Sequence, residues 1–259
     1  MKVVSRRRLV VLSALTALLP LTACGRDASS GAGSGGGQST ITVLAASSLT
    51  GVFTELGKQF ESEHDGVTVK FAFDSSATLA QQAVGGAPAD VLATADQKTM
   101  DSAEQVHLTE PQVFATNKMV LATPADNPAD ISSFSDLDSS SVKYVVCVAT
   151  APCGAIAAAL LDQNQITGTP VSTEVDVKSV LAKVTSGEAD AGLVYRTDAI
   201  AAGDQVRSFP VPGSASQVTT YPIVTLEQSE DTSLSHAFVD LVTGATGQQV
   251  LAKAGFGPP

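Results

Sequence analysis

Histidine and cysteine are scarce in this chain, with three of each in 259 residues. His64, His107 and His236 stand far apart in stretches of ordinary helix, turn or surface composition, and no Cys and His are spaced closely enough to suggest a transition-metal cation site. A cysteine nucleophile at Cys153 would need a neighbouring base, and nothing in the sequence places a histidine beside it. Neither of the serine pairs discussed below lies in a Gly-x-Ser-x-Gly elbow, so serine hydrolysis fares no better and an exported hydrolase is only a remote alternative to a non-enzymatic binding protein. Positive charge is also in short supply, with 15 Lys+Arg against 26 Asp+Glu. That acidic balance argues against a nucleic-acid partner. Long hydrophobic runs are missing except from Leu9 to Leu21, which falls short of the ~20 apolar residues of a spanning helix.

What is present at the start is a leader. Lys2, Arg6, Arg7 and Arg8 precede the apolar run, which stops at Leu21-Thr22-Ala23-Cys24, so residues 1–23 read as a secretion signal. The small residues before Cys24 resemble a lipobox, in which Cys24 becomes the lipidated first residue; an ordinary signal peptide with a chance cysteine is the rival. Ser5-Arg6-Arg7-Arg8-Leu9 is similar to a twin-arginine signal but also suits general export, and the route stays open. Residues 24–39 then collapse to Gly, Ser and Ala, a composition that cannot offset its ordering entropy and reads as a flexible tether. The expected location is extracytoplasmic, with membrane contact by the lipid anchor only. Four of the 15 Lys+Arg and none of the 26 Asp+Glu fall in the leader, so the rest carries a net charge of about −15.

From Ile41 onward strands and helices alternate. Ile41 to Ala45 reads as a strand, and Leu49, Val52, Phe53, Leu56 and Phe60 then share one helical face. Val67, Val69, Phe71 and Phe73 alternate as a second strand after the turn His64-Asp65-Gly66. Thr78 to Val84 suits a helix, Val91 to Ala93 a short buried strand, and Asp96 an N-cap. After Leu121 the run Thr123-Pro124-Ala125-Asp126-Asn127-Pro128 breaks the pattern. New βα units follow at Tyr144 to Val148, at a helix opening near Cys153-Gly154, at Val177 to Val184 and at Gly192 to Tyr195. Ile223 to Leu226 and helices over Leu234 to Val242 and Gly247 to Ala254 close the chain. The expected architecture is α/β in two lobes, each a mainly parallel sheet flanked by helices, with lobe I over 40–122 and 222–259 and lobe II over 123–221. Two crossing segments near Ala122 and Tyr221 would join them, and the cleft between lobes is the natural binding site.

Two serine-bearing turns stand out, Ala45-Ala46-Ser47-Ser48-Leu49 and Asp74-Ser75-Ser76-Ala77-Thr78-Leu79, each between a strand and a helix. Hydroxyls and free backbone N–H groups at two helix starts are suited to an anion. Together with Gly86-Ala87-Pro88-Ala89-Asp90-Val91, Ala95-Asp96-Gln97-Lys98 and Gly192-Leu193-Val194-Tyr195-Arg196-Thr197-Asp198-Ala199, these turns make the chain resemble the molybdate-binding proteins of ABC importers, from Ile41 to Phe256. The resemblance implies a two-lobed periplasmic-binding-protein fold of type II. It also implies a tetrahedral oxyanion, molybdate or tungstate, held by two serine hydroxyls, a tyrosine hydroxyl and backbone amides, with an ABC transporter membrane permease as partner and a monomer in solution. Carried onto this sequence, the ligand set is Ser48, Ser76 and Tyr195 through side chains and Cys153 and Val177 through backbone N–H, with Ser47 and Ser75 as neighbouring alternatives. No cofactor and no metal-cation ligand is implied; the metal arrives as its oxyanion.

A fully deprotonated dianion has only acceptor oxygens, so a site made of donors fits it without an arginine. Each residue also has a plainer role open to it: Ser48 or Ser76 as helix caps, Tyr195 as a core residue at a strand end. Asp74 departs from the family pattern, because a carboxylate in the site would repel a dianion but accept a hydrogen from a protonated oxyanion such as hydrogen phosphate. Phosphate or sulfate is therefore the alternative ligand, and Asp74 is expected to face solvent or cap a turn. Cys147 and Cys153, unlipidated in an exported protein, are expected to form a disulfide, two free thiols being the rival.

Overall fold

The computed structural model describes residues 39–259. The leader, Cys24 and its lipidation, and all of the tether but its last residue lie outside the described residues. Ser39, expected as the end of the tether, instead pairs with Val67 as the first residue of a strand.

The elements follow in the order β1 (Ser39–Ala46), α1 (Thr50–Glu63), β2 (Val67–Asp74), α2 (Ser76–Val84), β3 (Val91–Ala93), α3 (Gln97–Asp101), β4 (Gln112–Asn117) and β5 (Met119–Pro124). There follow β6 (Tyr144–Cys147), α4 (Pro152–Gln163), β7 (Ser172–Glu174), α5 (Val177–Thr185), β8 (Ala191–Tyr195), α6 (Arg196–Ala202), β9 (Val206–Pro210), β10 (Thr219–Thr225), α7 (Thr232–Thr243) and α8 (Ala245–Lys253). They build two five-stranded sheets, β2-β1-β3-β10-β4 and β7-β6-β8-β5-β9. In each, three strands pair in parallel, the next is reversed (β10 or β5), and the edge strand is antiparallel to that one. Four strands of each sheet thus share one direction. The two sheets repeat one spatial arrangement, with the reversed strand last in chain order in the first sheet and first in the second, and the chain enters the second before completing the first.

The crossings differ from those expected. β5 belongs wholly to the second sheet, where Ala122 pairs with Gly192, and Tyr221 pairs with Ala115 inside the first. Both expected boundaries fall within strands; the chain leaves the first sheet at Lys118 and returns between Pro210 and Thr219. No glycine or proline marks Lys118, because an extended chain can pass from one sheet to another without a turn.

Both sheets are covered by apolar helix faces. α1 buries Val52, Phe53, Leu56 and Phe60 against the first sheet while Glu55 and Lys58 stay exposed. Phe53 and Phe60 meet Phe238 of α7 edge-on, with ring centroids 5.9 and 5.5 Å apart. In the second sheet Leu121, Tyr144, Val145, Leu193 and Val194 are covered by Ala157, Leu160, Val180 and Val184.

A disulfide joins Cys147, the last residue of β6, to Cys153 in the first turn of α4. In the chain-entropy account a loop this short contributes about 2 kcal/mol by restricting the unfolded chain. Reduction is therefore expected to lower the melting temperature by about 4–8 °C for a domain of this size. Melting with and without reductant, with thiols counted by mass spectrometry, measures it; an unchanged melt with two free thiols would assign the bond no stabilising role.

Candidate functional site

Parallel strands end level with their neighbours, and here that registry makes the site. Ala46 pairs with Asp74, so the turns leaving β1 and β2 lie side by side with their serines. Cys147 pairs with Glu174, which does the same for the turns leading into α4 and α5. At the carboxyl ends of the two sheets these turns face a common cavity lined by Ser48, Asp74, Ser76, Cys153, Val177 and Tyr195 with their chain neighbours, and by Ala95. All five residues expected to bind the ligand line it, and so do the alternatives Ser47 and Ser75. The space inside is about 10 Å³, roughly one water-sized sphere.

Its wall is built of helix starts. Ser47–Leu49 forms a single 3₁₀ turn leading into α1, Ser76 opens α2, Cys153 is the second residue of α4, Val177 opens α5 and Tyr195 immediately precedes α6. The first N–H groups of a helix have no intrahelical acceptor, and the helix dipole adds a partial positive charge there. Pro152 at the start of α4 and the Asp176 carboxylate, which accepts from Ser179 N–H at 2.9 Å, hold two of these starts in place.

The side chains are not caps. Ser76 Oγ accepts from Ala95 N–H at 3.0 Å, leaving its own hydrogen to donate, and Ser48 Oγ lies 3.0 Å from Tyr221 Oη. Tyr195 is 1 % exposed, yet its hydroxyl has no hydrogen-bond partner among the described residues. Burial first, then the neighbouring Tyr221 and Asp96, push its pKa well above the ordinary value, so it is a neutral phenol with a hydrogen to give. Behind it, Lys178 Nζ meets the buried Asp198 carboxylate at 2.8 Å, tying α5 to the first turn of α6. Among the described residues, no Lys or Arg lines the cavity.

Asp74, expected to face solvent or cap a turn, is half-exposed and caps the turn after β2, but it also faces the cavity. It lines the cavity with Oδ1 accepting from Ser75 N–H at 2.6 Å, because β2 runs on through Asp74 and carries its side chain up to the turn. Sequence reading missed Tyr221, Asn117 and the Lys178–Asp198 pair. Asp198 stood inside a quoted motif, but Tyr221 meets Ser48 across 173 residues and nothing local signals that contact. None of the three histidines lines the cavity, and Cys153 has no free thiol. No group of His, Cys, Asp and Glu among the described residues is arranged to hold a metal ion.

Two α/β lobes that bring helix N-termini and hydroxyl-bearing residues around one small cavity have the arrangement of a solute-binding protein. The chain belongs to the family of bacterial extracellular solute-binding proteins, whose model matches residues 41–257. It is 42% identical over 243 residues to the molybdate-binding protein ModA of Mycobacterium tuberculosis (strain H37Rv), covering 92% of this chain and 93% of that one. Against ModA of Escherichia coli (strain K12) the identity is 31%, covering 83% and 88%. Among solved structures, the periplasmic molybdate-binding protein of Azotobacter vinelandii superposes with a TM-score of 0.76 at 21% identity, covering 85% of this chain and 99% of that one.

Proposed function

We propose that this protein captures molybdate, and tungstate with it, outside the cytoplasm and delivers it to the membrane permease of an ABC transporter. The observation that carries the reading is the donor set. A cavity lined among the described residues by no Lys or Arg holds Tyr195, whose buried hydroxyl has no partner among those residues, Ser48 and Ser76 with their hydroxyls, and Cys153 and Val177 at helix starts with free N–H groups to offer. A dianion of acceptor oxygens satisfies all of them, and neutral donors cost less to desolvate than a buried counter-charge. The relatives named for molybdate support the choice of oxyanion. Lipidation at Cys24 and the tether would keep the protein near the permease and raise its effective concentration there. Each lobe supplies part of the donor set, so binding would draw the lobes together about Lys118 and the segment between Pro210 and Thr219.

Asp74 favours a second reading, since its carboxylate offers a protonated oxyanion an acceptor. Isothermal titration with molybdate, tungstate, sulfate and phosphate in turn decides between them. Each charge-assisted hydrogen bond contributes about 1.5–3 kcal/mol, and several together place the expected molybdate and tungstate Kd below about 1 μM, with sulfate and phosphate silent. Tight phosphate or sulfate binding would move the assignment to that anion, and silence from all four would overturn it.

A further inference from the structure

Ser48 can serve the anion only if its single hydrogen points into the cavity, and the groups behind it decide where that hydrogen goes. Its Oγ lies 3.0 Å from Tyr221 Oη, a contact in which either oxygen can be the donor. Asn117 biases the direction. Its Oδ1 accepts from Lys118 N–H at 2.9 Å, which fixes the amide so that Nδ2 faces the other way. Nδ2 then donates to Thr197 Oγ1 at 2.8 Å and to Tyr221 Oη at 3.5 Å, the latter at the long limit for such a bond. With its oxygen accepting from Asn117, Tyr221 keeps its own hydrogen to donate, and Ser48 Oγ lies 3.0 Å away as an acceptor.

We propose that Tyr221, oriented by Asn117, is a positioning residue of the anion site, donating to Ser48 Oγ so that the Ser48 hydrogen is committed to the bound oxyanion. The chain of donation runs from Asn117 Nδ2 to Tyr221 Oη, from Tyr221 to Ser48 Oγ, and from Ser48 to the ligand. Tyr221 and Asn117 are both buried, and Tyr221 does not line the cavity, so neither touches the anion itself. Asn117 is also the last residue of β4 before the chain crosses at Lys118, and Thr197 belongs to α6 of the second sheet's lobe. The relay therefore begins where the two lobes join and ends at the ligand. It rests on the oxyanion reading of the cavity.

The test is a double-mutant cycle in binding, Tyr221→Phe and Ser48→Ala, titrated with molybdate and, if that is silent, with tungstate, sulfate and phosphate. In the wild-type background Tyr221→Phe is expected to weaken binding about 5- to 10-fold. In the Ser48→Ala background it should change nothing, because the hydroxyl it orients is gone. A structural role for Tyr221 predicts the same loss in both backgrounds, and that result, or no loss in either, overturns the relay while leaving the oxyanion reading intact. A wild-type protein that binds none of the four anions overturns both. Proton NMR of the wild type reads the bond without a substitution: a slowly exchanging Tyr221 hydroxyl proton with a cross-relaxation peak to the Ser48 β-protons is expected, and a rapidly exchanging one would also overturn the relay.

Discussion

Tyr195→Phe is expected to weaken oxyanion binding by about 12- to 160-fold without lowering the melting temperature of the unliganded protein. The Tyr195 hydroxyl is buried and has no partner among the described residues, so its removal costs the unliganded fold no protein hydrogen bond. The ring and its edge-on contact with Tyr221, 6.1 Å between centroids, are retained by phenylalanine. What disappears is one hydrogen bond to a charged acceptor, worth about 1.5–3 kcal/mol, or roughly 12- to 160-fold in Kd. Titration and thermal melting of the two proteins side by side measure both halves. A variant that binds as tightly as the parent would remove Tyr195 from the ligand set, and one that melts far lower would make it a core residue at a strand end.

Gly154→Ala should have the largest effect on the fold and on binding together. Gly154 sits in the first turn of α4, where an added Cβ would lie 1.9 Å from the Val148 carbonyl oxygen and 2.7 Å from that of Cys147. Those atoms cannot give way cheaply. The Val148 carbonyl accepts from Ala151 N–H at 2.9 Å, Val148 N–H donates to Glu174 at 2.8 Å, and Cys147 is bonded to Cys153. Relief therefore requires α4 to swing away from β6, which carries the Cys153 N–H out of the cavity. Overpacking of this kind costs about 3 kcal/mol, or about 6–12 °C in melting temperature at this size, and anion affinity should fall more than about 100-fold as the donor set comes apart. A variant with parental melting and affinity would show that α4 does not start against this turn.

The first βα units were legible because each carries its pattern in a short window. Val52, Phe53, Leu56 and Phe60 mark the buried face of α1 by spacing alone, and Asp96 and Asp176 announce helix starts by cap chemistry, accepting from Thr99 and Ser179. The stretch from Gln112 to Pro124 was not legible. β4 and β5 run almost continuously through Lys118, and the proline cluster that follows drew the expected boundary to Ala122, past the true crossing. The half-exposed β9 and the three-residue β7 lack the buried alternation that identifies a strand.

At the site, the sequence supplied the donors, because serines and N–H groups at helix starts are local features, and it supplied the tyrosine through family resemblance. It could not supply their convergence. That Ala46 lies opposite Asp74 and Cys147 opposite Glu174 is a matter of strand register, which brings turns from distant parts of the chain around one cavity. Nor could it set the direction of the Ser48 hydroxyl, which depends on a tyrosine 173 residues away and an amide fixed by its own neighbour. Periodicity and capping act over a few residues and are written in the chain; sheet order, register and hydrogen-bond direction arise only when segments far apart in sequence are packed together, and these turn a set of donors into a binding site.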